Sequence, residues 1–203
     1  MGARLKRPAL ALSVALAIAI ILSYAYSAVF VYYQMNVILQ PVNPPIIFSP
    51  GSNANQNDLG GQDNPYYSNK IDVNTGLQGT VLSLTLHPTF QHNYYYNLSL
   101  IVNNDGKAYY ITLKVKQAAT LPPDSVARLL VYNAPSGGDE VADVSLLLTE
   151  DTATAQIPAG GVWRIDVYIY IPEGNTLPSQ TSAEVQLIYS PETGVTPPIV
   201  PPP

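Results

Sequence analysis

The chain has no cysteine, only two histidines and few charges. Without cysteine there is no disulfide framework, no thiolate nucleophile and no Cys-containing zinc site. Charged residues are 11% of the 203 positions, against about 25% in an ordinary soluble domain. Nine Lys+Arg against 14 Asp+Glu exclude a nucleic-acid binder, whose affinity rests on neutralised phosphates. Three phenylalanines and one tryptophan stand beside fifteen tyrosines, nineteen prolines and thirteen glycines, a composition for strands and turns. Gly-x-Ser-x-Gly, His-Glu-x-x-His, P-loop and dinucleotide fingerprints are all missing from the sequence. His87 and His92, five apart around Pro88, read as turn residues rather than a metal or acid/base pair. The chain reads as a non-enzyme.

What charge there is lies unevenly. Arg4, Lys6 and Arg7 are followed by no charged residue until Asp58. Setting residues 1–27 aside leaves six of the nine Lys+Arg against all 14 Asp+Glu, a net of −8. A basic start ahead of an acidic, weakly charged remainder is the profile of an exported chain.

The first residues fall into zones: a basic stretch, the 14-residue apolar run Ala9–Leu22, and Ser23–Ser27. That run fits the roughly 7–15 residues of a signal-peptide core. Ala25 and Ser27 supply small residues for cleavage between Ser27 and Ala28. Two readings compete. Counted on to Tyr33, the run reaches the roughly 20 residues of a membrane anchor, with the basic stretch inside. A pilin-like helix would also begin with Lys-Arg and stay attached after processing. The change at Ala28 from Ala/Leu/Ile to Val-Phe-Val-Tyr-Tyr, helix chemistry to strand chemistry, favours cleavage. Every reading places the rest outside the cytoplasm, with the membrane as a partner only before processing or if the helix is retained.

After the signal or anchor helix (1–27) we expect a strand (28–40), an all-β, jelly-roll-like β-sandwich (41–190) and a Pro-rich tail (191–203). Short alternating runs separated by turn residues carry the sandwich expectation. They are Thr80–His87, Tyr94–Val102, Ala108–Gln117, Ala127–Asn133, Val141–Thr149, Thr152–Ile157, Val162–Ile171 and Ala183–Tyr189. In Val162–Ile171, Trp163, Ile165, Val167, Ile169 and Ile171 form one apolar face. Asn103-Asn104-Asp105-Gly106 reads as a hairpin turn. Gly51–Asn69 reads as a long polar loop, and the tail as polyproline-like or disordered.

Few side chains are candidates for binding. Asn55, Asn57, Asp58 and Asp63 place oxygens at alternating positions as calcium loops do, but Asn64 stands where the closing Glu belongs. Asp139, with Glu140 and Asp143, is the other acidic cluster. A solvated surface competes with calcium at both places, and no other cofactor is expected. Asn97-Leu98-Ser99 is an N-glycosylation sequon. The Tyr94–Tyr96 and Tyr109–Tyr110 runs could stack on glycans, although strand packing and subunit contact explain them more simply.

The most informative element is Val29–Gln40. One face carries Val29, Val31, Tyr33, Met35, Val37 and Leu39; the other starts apolar and ends in Gln34, Asn36, Ile38 and Gln40. A strand apolar on both sides at its start needs burial inside a sheet. Followed by the proline-stiffened Pro41–Pro50, it can be buried in its own domain or complete a neighbour's sheet. Repeated head to tail, the second mode builds a filament.

With its apolar strand running into Asn36–Phe48, its β body, and its late Val162–Asn175 and Ala183–Tyr189 strands, the sequence resembles the archaeal bundling-pilin and TasA-like fibre subunits. The resemblance implies a self-assembling jelly-roll subunit of an extracellular pilus or biofilm-matrix fibre, its amino-terminal strand donated to the next copy. The proline tail is not part of that likeness. A membrane-anchored β-sandwich module binding glycans or envelope proteins is the alternative.

Overall fold

The computed structural model describes residues 7–25, 33–58 and 69–194. By contacts the chain divides at Val42 into two units, Met1–Val42 and Asn43–Pro203. In the first, helix α1 spans Arg7–Ala25, where Ala, Leu and Ile dominate and neither Gly nor an internal Pro interrupts the run. Pro8 sits in the first turn, where its missing N–H costs nothing. Among the described residues no helix is long and apolar enough to cross a membrane.

The second unit is all-β and antiparallel. Its strands are β1 (Ile46–Pro50), β2 (Asp72–Asn74), β3 (Ser83–Thr85), β4 (Gln91–Asn103), β5 (Tyr109–Gln117), β6 (Val126–Tyr132), β7 (Glu140–Ser145), β8 (Thr152–Ile157), β9 (Val162–Ile171) and β10 (Glu184–Ser190). Five form one sheet in the order β1-β4-β9-β6-β7; three form a second, β10-β5-β8; β2 and β3 pair as a ribbon. The runs expected from alternation coincide with β4 to β10 within a few residues at each end. The short β2 was not expected, and the expected Thr80–His87 run shrinks to β3.

On the apolar face of β9, burial follows the alternation. Trp163, Ile165, Val167, Ile169 and Ile171 are all buried. One hydrophobic cluster draws Ile101, Val131, Val144 and Ile165 from the five-stranded sheet and Ile111, Val115 and Ile157 from the three-stranded one. Each such side chain contributes about 1.5–3 kcal/mol by leaving water. A second cluster, around Leu98, Val167 and Ile171, is covered by Ile71 and Val73 together with Leu84 and Leu86. Three strands therefore cover one end of a five-stranded face, and the β2–β3 ribbon covers the other.

The Asn103–Gly106 turn differs from the expected hairpin, because β4 and β5 belong to different sheets. Asn103 is the cause. Its buried side chain donates to Lys107 O at 2.7 Å and Pro158 O at 2.8 Å, and accepts from Asp105 N at 3.0 Å. These bonds fix a wide corner between the layers instead of a tight two-strand turn.

Candidate functional site

The segment ahead of the body carries no strand over residues 33–40. Tyr33, Met35, Val37, Ile38, Leu39 and Val42 are 68 to 89% exposed. Six large apolar side chains within ten residues thus stand in water, outside any strand or helix. Of the expected donor-strand residues, Tyr33, Met35, Val37 and Leu39 are in this stretch. Val29 and Val31 lie outside the described residues, as do Ser27 and Ala28.

On the body, the outer face of the five-stranded sheet holds a polar centre that alternation placed outside but did not bury. Arg164 and Asp166, on β9, are 4 and 0% exposed. The Asp166 carboxylate accepts from Arg164 Nε at 2.9 and 3.0 Å, from the Asn97 backbone N–H at 2.6 Å and from the Tyr94 hydroxyl at 2.6 Å. The guanidinium lies between two rings, 4.4 Å from the centroid of Tyr96 and 4.3 Å from that of Tyr132, and donates to Gly137 O at 2.9 Å. Burial opposes its charge, but the bond to Asp166 prevails and its pKa is raised.

A bulge in β4 makes this possible. The register against β9 slips between Tyr95 and Ser99, and Asn97 takes a positive φ of 50°, which Asn tolerates. The slip turns the Asn97 N–H onto Asp166 and sends Leu98 into the core. Gly51 closes over the bulge: its N–H donates to Leu98 O at 3.0 Å, and a Cβ there would collide with the Asn97 backbone. Tyr94, Tyr96 and Tyr132 thus lie as a lid over an ion pair. No sequence pattern announced the bulge; the only signal was an Arg and an Asp on one strand face among tyrosines.

Beyond that centre lies a more open aromatic group. His92 contacts Tyr168 at 6.0 Å and Tyr170 at 4.7 Å between ring centroids, with His92 Nδ1 and the Tyr168 hydroxyl 2.7 Å apart. Tyr94 is half-exposed beside it.

Several sequence expectations find other roles here. The sequon lies inside the bulged strand: Asn97 is buried, its amide donates to Pro135 O at 3.1 Å, and Leu98 and Ser99 are fully buried. A glycan on that nitrogen would have to open the bulge. The calcium candidates that are described have other partners. Asn55 Oδ1 accepts from Val73 N at 3.2 Å, and Asn57 bridges Lys70. Buried Asp58 Oδ2 faces His87 N at 2.9 Å and His87 Nδ1 at 3.0 Å. Asp143 is held by a two-pronged Arg128, while the Asp139 backbone is tied to Asn133. Asp63 lies outside the described residues, and among those described no acidic or histidine cluster could hold a metal. Within the expected Gly51–Asn69 loop, residues 51–58 are therefore a strapped turn docked on residues 69–71, and 59–68 lie outside the described residues.

No protein-family model matches the chain, and no curated protein compared with it does either.

Proposed function

We propose that this protein is a structural subunit of an extracellular pilus or matrix fibre, polymerising head to tail by donating residues 29–39 to the sheet of the next copy. The observation that carries the reading is the exposed, alternating, uncharged stretch from Tyr33 to Leu39, which forms no strand although a well-formed β body follows it. Such a stretch gains burial and backbone hydrogen bonds by joining another sheet, and a contact of this kind repeats without closing. Support also comes from the likeness to archaeal bundling pilins and TasA-like subunits. The jelly-roll-like wrapping that the likeness implies is in keeping with the chain's path. Between β4 and β10 every connection except β6 to β7 crosses from one sheet to the other. Export through a signal peptide ending at Ser27 completes the reading.

Deleting residues 28–39 from the exported protein tests it. The expected product is a folded monomer that forms no fibres, and a synthetic 28–39 peptide binds it and raises its Tm. Fibres from the truncated chain overturn the reading. A second reading has its own observation: the open aromatic group His92, Tyr168 and Tyr170 would suit an anchored module that stacks on glycans. Recovery of surface protein with Ala9–Leu22 still attached, as monomers, would favour that module.

A further inference from the structure

We infer that the acceptor for the donated strand is the free edge of β8, and that a second copy's Tyr33–Leu39 adds there as the fourth strand of the smaller sheet. The inference rests on the donor-strand reading above and goes on to name the docking surface.

The two larger sheets have four edges between them: β1, β7, β8 and β10. Exposed edges invite pairing unless blocked by charge, proline, bulges or cover. β1 ends in Pro50, and its Phe48 N–H already donates to Gly79 O at 2.7 Å. β7 carries Glu140 and Asp143, and its register breaks at the Glu140 end. β10 opens on Glu184 with a bulge beside it. β8 reads Thr-Ala-Thr-Ala-Gln-Ile, with no charge, no proline, no glycine and a continuous register to β5. It is the one edge of the four whose own residues carry no guard. Among the described residues, no backbone hydrogen bond links Thr152–Ile157 to anything beyond β5 in the ladder.

The side chains match as well. Inward, β8 offers Ala153 and Ala155, half-buried against the core. Small residues at the rim leave room that larger neighbours can fill, and the donor's inward face is Tyr33, Met35, Val37 and Leu39. β10 instead fills its inner side with Val185 and Leu187. Outward, β8 shows exposed Thr152, Thr154 and Gln156, beside which the donor would set Gln34, Asn36 and Gln40, with Ile38 the one apolar exception. Neither strand carries charge, so copies with a net of −8 beyond residue 27 meet where repulsion is least. Seven donor residues span about 23 Å, enough to run the length of six-residue β8.

The absence of native cysteine makes the test clean. Asn36→Cys is combined, in the full chain, with Thr152→Cys, Thr154→Cys or Gln156→Cys, and separately with Gln186→Cys or Ile188→Cys on β10. Side chains directly opposite on paired strands bring their Cβ atoms to about 4.5–5.5 Å, close to disulfide reach. Oxidised fibres should show a ladder of covalent multimers with at least one β8 pair and none with a β10 pair, and the ladder should collapse on reduction. Fibres that link only through β10, or through none of the β8 pairs, overturn the β8 assignment while leaving strand donation intact. Fibres that form without residues 28–39 overturn strand donation itself.

Discussion

Val37→Asp is the sharpest single change. Tyr33, Met35, Val37 and Leu39 are now 89, 82, 68 and 83% exposed. Burying all four in a neighbour yields about 6–12 kcal/mol, at about 1.5–3 kcal/mol each. Ordering seven backbone residues costs about 7–14 kcal/mol. These two nearly cancel, and the strand's hydrogen bonds, near 1 kcal/mol net apiece, decide the balance. An aspartate at position 37 forfeits the valine's share and adds the cost of an unpaired charge entering a dry pocket. A loss of at least about 3 kcal/mol follows, roughly a hundredfold weaker docking. Since Val37 is in water before docking, the monomer's Tm should stay within about a degree of the parent's. The assay pairs thermal melting with sedimentation of assembled material. Wild-type yields of sedimenting fibre from Val37→Asp would refute the reasoning, and so would a large drop in monomer stability.

Other expectations concern the body. Asp166→Ala leaves buried Arg164 without its counter-charge and should cost about 3–5 kcal/mol, read by denaturant titration; loss below about 1 kcal/mol would mean the tyrosines alone suffice. Burial first, and then the negative charge of Asp58, push the Tyr95 hydroxyl pKa upward. The stability this adds is whole below the ordinary tyrosine value near 10 and is lost as pH rises beyond it. Alkaline melting should therefore start near pH 10, and Tyr95→Phe should flatten that fall. Excess chelator should leave Tm unchanged, because Asp58 and Asp143 already face His87 and Arg128; a drop of several degrees would reinstate a cation. Mass spectrometry of the folded protein should find Asn97 unmodified.

The strands were legible because alternation in β4 to β10 reports burial directly: a residue facing the core must be apolar, and period two follows. The sequence was silent wherever the third dimension reversed a residue's ordinary preference. Arg164 and Asp166 alternate with the core face as solvent-facing residues do, yet tyrosines from two other strands close over them. Asn97 reads as a glycan acceptor in the one-dimensional pattern, yet the same amide that a sequon needs free is the pin of a bulge. Asn103 and Gly106 read as a tight turn, yet the Asn103 side chain finds partners 4 and 55 positions away. In each case at least one deciding contact comes from a segment whose proximity no local pattern encodes.

The Tyr33–Leu39 stretch, proposed above as the donor, is the opposite case. From Tyr33 to Leu39 the sequence alternates with Ile38 as its one exception, but in the single chain those residues form no strand and stay in water. A pattern that specifies a strand and finds no sheet is a local preference without its global partner, and natural sequences carry such conflicts mainly where function uses them. The unguarded β8 edge is the complementary conflict, a strand with half its ladder missing. A proline at Thr154, which would disturb the β8 backbone that both ladders share, separates these roles less well than a guard. Thr152→Lys with Gln156→Lys leaves the backbone untouched and adds charge only on the outward face. That pair should keep monomer Tm within a few degrees, since exposed substitutions usually stay within about ±0.5 kcal/mol. It should reduce fibre yield, because edge lysines resist strand addition. Undiminished fibre from the double lysine chain would show that the exposed ladder of β8 is not where copies meet.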